Sequence, residues 1–591
     1  MSCERTPWRG RSSRGERGVE GAMPDASNKD LPIDRLASSR ADDRPRPGHR
    51  DGIWPLVSAA EMQALDKQTI EGRDVAGEIL MESAGRALTQ PTLRLLATSG
   101  RSERPVRALC GAGNNGGDGF VLVRHLLAEG VAAEAILLGD PLRLPRDAAA
   151  NWRRLEKAAV PRRVVDPERD RVDWAALLDG TSVAIDALFG TGLQREIGGG
   201  RAALIESVIA AREHGLRVIA VDIPSGIAAN TGQVLGCAIR ADCTVTISLP
   251  KIGLALEPGR SHAGEITVAR VGIDDPDPAR LPRVELWNAL AAARRFPARP
   301  RAGHKGSFGH VLLAAGAPGK MGAAALSARA AARAGAGLVT LAHPAGLSSE
   351  LSGLCAEVMT EEVAATERGG LAAASEKAIE ELAASREVLA LGPGVGRERE
   401  TIDLVRRLVA RVSTPLVVDA DGLFGLQGRL DLLYDREAPT ILTPHPGEAA
   451  RLLDCEARQL NSDRVGSARA LATASGSVVV LKGAGTVVAD PDGRTLIVPT
   501  GGPLLASGGT GDVLTGVTAA LLAAGMPAFE AAGLAAWWHG ATADRSDRKA
   551  VGFGLLAGEL ADALPDAAAE ICRSLSREEL DAALDLRFPG P

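Results

Sequence analysis

Apolar positions in this chain come in short runs, separated by longer stretches in which they recur every three or four residues. The runs Val106–Leu109, Ala133–Leu138, Val183–Asp186, Arg217–Val221 and Cys243–Ile247 read as strands. Helical stretches lie around them. One starts at Ser58, with Glu61 three residues later completing a capping box. A second carries Met81-Glu82-Ser83-Ala84-Gly85 and runs to about Thr98, and a third is expected over Phe120–Glu129. From His304 the alternation begins again, with strands at Val311–Ala315, Val339–Ala342, Val388–Leu391, Leu416–Asp419, Thr440–Leu442 and Val478–Leu481 and an Ala-rich helix over Gly322–Ala334. Apolar strands alternating with helices predict parallel sheets covered on both faces, so the fold class is α/β, built twice.

The pattern also marks where order is not expected. Residues 1–52 are rich in Arg, Ser, Asp, Pro and Gly without apolar periodicity, which predicts a disordered extension. Glu4, Glu16, Glu20 and Asp25 count against an organelle transit peptide there. Between Gly272 and Arg301 the chain turns Pro- and Arg-rich, and a linker is expected over 286–300, with part of the stretch available for a last strand. The expected domains are thus 53–285 and 301–591.

Composition narrows the function. At 591 residues the chain exceeds what one core supports. A net charge of −6, with 3% aromatic residues and one Tyr, supplies neither a basic field nor stacking platforms, so nucleic acid is not an expected partner. The seven cysteines form no CxxC pair, which suits a reducing compartment and a cytoplasmic location. Leu521–Trp538 is apolar but contains Gly525, Pro527, Glu530 and Gly533; it reads as buried helix, and no membrane partner is expected.

The unusual residues sit where strands end, which is where parallel sheets bind ligands. After the first strand of the N-terminal half comes Gly111-Ala112-Gly113-Asn114-Asn115-Gly116-Gly117-Asp118-Gly119, a turn whose backbone N–H groups could approach a pyrophosphate; a tight loop with Asn in left-handed turns is the plainer alternative. Asp186 opens Asp-Ala-Leu-Phe-Gly190-Thr191-Gly192-Leu193, and Asp222 opens Asp-Ile-Pro-Ser225-Gly. Oxygens from Asn115, Asp186 and Ser225, with one carboxylate among them, suit a monovalent ion better than zinc or magnesium. Asp222 is a candidate acid/base at the same rim.

In the C-terminal half, Ala506-Ser507-Gly508-Gly509-Thr510-Gly511-Asp512 precedes the apolar run Val513–Ala524. Small residues before a helix leave N–H groups bare for an anion, and a carboxylate beside that anion either merely favours the helix start or takes a proton during phosphoryl transfer. Lys482-Gly483-Ala484-Gly485-Thr486 leaves a strand where an ammonium and N–H groups could meet a nucleotide phosphate; a solvated rim charge is the plainer reading of Lys482. His445 is held between prolines. Asp419 and Asp421 are weak candidates for magnesium.

Two sets of motifs then resemble one family. GNNGGDG, DALFGTGL and VDIPSG resemble the epimerase domain of NAD(P)H-hydrate repair enzymes, a Rossmann-like domain. HKGSFGHVLLAAG, LGPGVG, LTPHPGEAARLL, LKGAGTVV and ASGGTGDVLTG resemble the ADP/ATP-dependent dehydratase domain of the same family, which is ribokinase-like. Two departures are Ser83 for the family's Asn and Gly501-Gly502-Pro503, where an Asn is usual near 502. The resemblance implies that Asn114 to Asp118, Gly190 to Glu196 (Thr191, Gly192, Leu193, Gln194 and Arg195 between them) and Asp222 bind hydrated dinucleotide in the epimerase half. Potassium would lie on Asn115, Asp186 and Ser225. It assigns Ala323, Gly394, Gly396, His445 and Asp512 to the hydrated dinucleotide in the dehydratase half. Lys482 to Thr486 and Gly509 to Gly511 go to ADP or ATP, with magnesium accompanying the nucleotide. Asp512 and Asp222 are the implied catalytic residues. A ribokinase-type small-molecule kinase and a non-catalytic dinucleotide-binding protein are the alternatives, and a homo-oligomer is compatible with the sequence.

Overall fold

The first strand, β1 (Ile53–Leu56), does not join the strands that follow it in sequence. Those are β2 (Val106–Gly111), β3 (Ala133–Leu138), β4 (Arg162–Val165), β5 (Val183–Ala187), β6 (Arg217–Val221), β7 (Cys243–Ile247) and β8 (Glu265–Ala269), which form a sheet in the order β4-β3-β2-β5-β6-β7-β8. All its pairings are parallel. This is a computed structural model, and it describes residues 52–273, 283–351, 355–546, 548 and 551–573. The extension expected to be disordered lies, apart from Gly52, outside the described residues, as does the Asp-Pro run at 274–278.

The second sheet is built from β9 (Val284–Trp287), β10 (His310–Ala314), β11 (Leu338–Pro344), β12 (Met359–Val363), β13 (Val388–Leu391), β14 (Leu416–Val418), β15 (Thr440–Leu442), β16 (Val478–Leu481), β17 (Val487–Ala489) and β18 (Thr495–Ile497), together with β1. From β12 to β16 it is parallel; β17 and β18 continue it antiparallel, and β9 and β1 close that end. The strand order reverses direction between β2 and β5 in the first sheet and between β10 and β13 in the second. Connections leave toward opposite faces at such a point and open a crevice beyond the strand ends. Both candidate sites lie there.

Two expectations are corrected. The stretch from 286 is not a linker at its start: Leu286 and Trp287 end β9, and Asn288 caps the helix Ala289–Ala293. Trp287 is fully buried, and its carbonyl accepts from Trp537 Nε1 at 3.0 Å. Burying a Trp outweighs the local Pro and Arg content that suggested a linker. Likewise, the helix expected from Phe120 begins at Asn114, so the Gly-rich stretch is its first turns rather than a loop, with neither Asn left-handed. The glycines there serve close approach. A Cβ on Gly116 would lie 2.0 Å from Gly111 O, and one on Gly119 would lie 2.7 Å from Cys110 Sγ.

The strands the pattern predicts are all present, as is the Ser58/Glu61 capping box at the helix Ala59–Arg73. The helical stretch expected to run to about Thr98 is two helices, Gly77–Ala87 and Thr89–Thr98, and β1, β4, β8, β12, β17 and β18 were not expected. One apolar core runs through both halves: Trp54, Leu56, Ile223, Ile252, Leu254 and Leu256 pack in the same cluster as Leu286, Leu481, Val487 and Ile497.

Candidate functional site

In the N-terminal half, a cleft of about 830 Å³ opens at the β2/β5 crossover. A Cβ on Gly111 would lie 1.9 Å from Leu188 O, so only glycine lets the ends of β2 and β5 meet there. Asn114, Asn115 and Asp118 line the cleft from the helix Asn114–Ala128, whose start is capped by no side chain. Its first-turn N–H groups therefore lack a side-chain acceptor, which suits an anion.

Asp222 is placed by strain and by charge. It follows β6 with φ of 68°, the left-handed region that a non-glycine residue seldom occupies, and its N–H is fixed to Val245 O at 2.8 Å. Its Oδ1 accepts from Ile247 N at 2.9 Å, from the Thr246 hydroxyl at 3.3 Å and from the Lys251 ammonium. Lys251 is fully buried, also donates to Ile247 O at 2.8 Å, and has its backbone bridged to Val57. Burial pushes the Asp118 carboxyl well up, with Asp222 and Asp66 adding to it and Lys251 opposing. Asp66 is raised by burial and by Asp147. Of these cleft acids, Asp222 is the one that Lys251 hydrogen-bonds.

Beside the cleft, Ser225 Oγ and N donate to Asp186 at 2.5 and 2.7 Å, and Phe189 N donates to Ser225 Oγ at 2.9 Å. Burial raises Asp186 to about 6, with the Ser225 bonds resisting. Asn115 Oδ1 faces Gly190, and its buried Nδ2 has no partner.

In the C-terminal half the helix Thr510–Ala523 starts after Gly509, which has φ of 90° and offers no side-chain cap. A Cβ on Gly509 would lie 2.7 Å from Leu326 Cδ1. His539, buried and lowered to about 4 by burial, donates from Nε2 to Thr510 O at 2.9 Å and fixes that turn from behind. Burial and then Asp419 raise Asp512 to about 7, against the pull of Lys482. Lys482 donates to Asp419 Oδ1 at 2.8 Å, and the Thr515 hydroxyl to Oδ2 at 2.6 Å. Burial draws the Lys482 ammonium down, but Asp419 and Glu448 more than offset it and it is raised. A Cβ on Gly511 would lie 3.4 Å from Lys482 Nζ, which brings strand end and helix start together.

Gly394 comes against Lys320 O and Ala323 Cβ, 2.7 and 3.3 Å from where its own Cβ would be. Gly396 N donates to Asp421 Oδ2 at 3.1 Å. Asp421 also holds Lys320 at 2.9 Å and Arg397 at 2.7 Å. His445 caps the helix Pro446–Leu452, its Nδ1 accepting from Gly447 N and Glu448 N at 3.0 and 3.3 Å. Burial, then Lys482, lowers its pKa, and because Nδ1 accepts those bonds the ring carries its proton on Nε2.

A family model described as NAD(P)H-hydrate dehydratase matches residues 311–566, and one described as YjeF-related protein N-terminus matches residues 77–253. The bifunctional NAD(P)H-hydrate repair enzyme Nnr of Moorella thermoacetica is 40% identical over 86% of this chain and 96% of its own. The chain belongs to the bifunctional NAD(P)H-hydrate repair enzyme family. The member from Thermofilum pendens is 37% identical over 74% of this chain and 82% of its own. The ADP/ATP-dependent NAD(P)H-hydrate dehydratase of Bacillus subtilis, co-crystallized with ATP/Mg2+, is 30% identical, covering 48% of this chain and 98% of that one with a TM-score of 0.42.

Within this repair-family chain, most residues singled out in the sequence gather at the two crevices. Gly190, Thr191, Gly192, Leu193, Gln194 and Arg195 line the epimerase-side cleft with Asp222. Gly116, Gly117 and Glu196 do not line it; the two glycines are buried in the helix Asn114–Ala128. Lys251, Asp66 and Asp147 line the cleft and went unnoticed in the sequence. The dipeptide Pro250-Lys251 just past β7 was the one signal for Lys251. On the dehydratase side the unnoticed residues are Lys320, Arg397, Thr515 and His539. Among the described residues no group of three or more His, Cys, Asp or Glu side chains could hold a metal ion. No described helix is long and apolar enough to cross a membrane.

Proposed function

We propose that the N-terminal half interconverts the R and S epimers of hydrated NADH and NADPH, and that the C-terminal half dehydrates the S epimer using ADP or ATP. The observation that carries the dehydratase reading is Asp512: a first-turn carboxylate on an uncapped helix, raised to about 7. A general base works best with a pKa near the working pH.

In the dehydratase half, Asp512 takes the proton of the substrate hydroxyl, and the freed oxygen attacks the terminal phosphorus of the nucleotide. The bond to the rest of the nucleotide breaks, giving AMP from ADP or ADP from ATP. N–H groups at Gly509, Thr510 and Gly511 stabilise charge on the phosphoryl oxygens, where one such donor contributes about 3 kcal/mol. The ring nitrogen's lone pair then expels phosphate, the neighbouring carbon loses a proton, and the ring double bond returns. Phosphate is a far better leaving group than hydroxide, which is why a nucleotide is consumed.

Lys482 to Thr486 receive the nucleotide. Asp419 keeps Lys482 at the strand end through their 2.8 Å bond. Ala323, Gly394, Gly396 and His445 form the wall for the hydrated ring. Magnesium would be carried on the nucleotide phosphates, because Asp419 and Asp421 are already engaged by Lys482, Lys320 and Arg397.

In the epimerase half, Asp222 is the acid/base, held in place by the Lys251 hydrogen bond. The dinucleotide phosphates go to the N–H groups at Asn114 to Asp118. Potassium fits Asp186, Ser225 and Asn115: one carboxylate, a hydroxyl and an amide, with no cationic side chain on buried Asp186 among the described residues. Such an ion would steady the Gly190–Leu193 loop.

The test incubates the full chain with a mixture of R and S NADHX and either ADP or ATP. NADH absorbance should return for both epimers, with one phosphate released per NADH. A stable phosphate ester in place of NADH would make the second half a kinase, and no reaction with either nucleotide would make the chain a binding protein.

A further inference from the structure

Arg464 opens the helix Arg464–Ser475 beneath the loop that follows β16. It is 7% exposed. Its Nη2 donates to the carbonyls of Leu481, Lys482 and Gly485 at 3.1, 3.2 and 3.5 Å, and its Nη1 to Asn461 Oδ1 at 3.2 Å. Its Nε is buried without a partner. Every acceptor is neutral. The nearby acids are committed elsewhere: Asp419 to Lys482, and Asp463 to the N–H of Gly466 at the start of the same helix. Burial lowers the guanidinium to about 10, which leaves it charged at neutral pH. A buried cation with only carbonyl acceptors is costly, and an anion arriving nearby relieves that cost.

The N-terminal half of the chain packs against this corner, on the loop at Gly485 and on the preceding helix at Asn461. Gly485 faces Ala255 O, 3.4 Å from where its Cβ would be, and Gln233 Nε2 donates to Asn461 O at 3.3 Å. Arg464 therefore holds the loop from beneath while Ala255 packs against Gly485, and its charge lacks a counter-charge among the described residues.

We propose that Arg464 is a positioning residue of the nucleotide loop, and that the phosphates of bound ADP or ATP supply its missing counter-charge. This rests on the reading that Lys482 to Thr486 receive the nucleotide. Arg464 orders the carbonyls of the loop so that the N–H groups of Gly483 to Gly485 turn toward the phosphates, and its charge acts through that single layer of backbone.

The test titrates the full chain and its Arg464→Met and Arg464→Lys variants with ATP, ADP and AMP by calorimetry, alongside steady-state dehydration. Arg464→Met is expected to weaken ATP about tenfold or more, ADP less and AMP least, because the effect scales with phosphate charge. KM for the nucleotide should rise while kcat at saturation stays within about twofold, and Arg464→Lys should recover part of the loss by restoring the charge. A folded Arg464→Met that binds ATP as wild type does, or that loses ATP and AMP equally, overturns the proposal. Should Arg464→Met fail to melt cooperatively, Arg464→Lys decides: a raised nucleotide KM at unchanged kcat supports it, and an unchanged KM overturns it. Failure of the wild-type chain to bind ATP or ADP at all would instead remove the nucleotide reading on which it rests.

Discussion

Asp512 and Asp222 are both aspartates at the ends of secondary structure, yet their surroundings differ. Asp222 has the buried Lys251 ammonium on one oxygen. Asp512 faces Asp419 and is raised to about 7. For Asp512 the folded-state pKa lies above the ordinary 3.8, so the folded protein holds the extra proton between about pH 4 and 7 and loses stability as pH rises through that window. Asp512→Asn should therefore abolish dehydration and yet melt higher than wild type at pH 8, with the difference vanishing near pH 4. Melting curves at the two pH values, with NADH recovery, check both halves. The wild-type dehydration rate should climb through about pH 7 to a plateau as the carboxylate forms. Lys251→Met should slow epimerisation by about 100-fold or more while leaving dehydration of the S epimer intact. Chromatographic separation of the epimers over time measures it, and a rate near wild type would show that Asp222 does not need the lysine. Asp512 and Asp222 stood out as candidates because each sits at an element's end, where parallel sheets bind ligands. Lys251, Asp66 and Asp147 did not: a lone charge in a sequence looks solvated, and only the tertiary fold brings these three to one cleft.

At the level of elements, the sites depend on how closely backbones approach. The helix Thr510–Ala523 crosses the helix Met321–Arg333 at Gly516, where a Cβ would lie 2.1 Å from Ser327 O. Gly516→Ala should force the helices apart, costing on the order of 1–3 kcal/mol and drawing Asp512 away from Lys482. A lowered melting temperature with a larger fall in dehydration than in nucleotide affinity is the expected result. The Gly-rich stretch at Asn114 teaches the same point from the other direction. Glycines in a row suggested a loop by their conformational freedom, whereas the fold uses Gly116 and Gly119 in a helix because no side chain fits against Gly111 and Cys110. β9 was obscured likewise, its alternation of Val284, Leu286 and Trp287 lying next to Pro and Arg.

Across the whole molecule, the halves are not separable where the sequence divided them. β1 pairs with β9, and β9 with β18, so residues before 301 complete the dehydratase sheet. A chain beginning at 301 would lack Trp287, whose burial against Gly533 and Trp537 fills that end of the core. Losing a buried Trp alone costs about 3–5 kcal/mol. Such a chain is expected to aggregate or to melt well below one beginning at 52, as scanning calorimetry and gel filtration would show. Equal stability would mean that β1 and β9 contribute nothing to that sheet.

The sequence by itself determined the α/β class, the central strands of both sheets and the family, because strand period, helix caps and small-residue loops are local properties of the chain. The tertiary structure alone decided that β1 and β9 belong to the second sheet, which acids are buried, and that Lys251 answers Asp222 while Arg464 is left without a carboxylate. Those facts depend on which distant residues share a low-dielectric interior, and no local pattern records that.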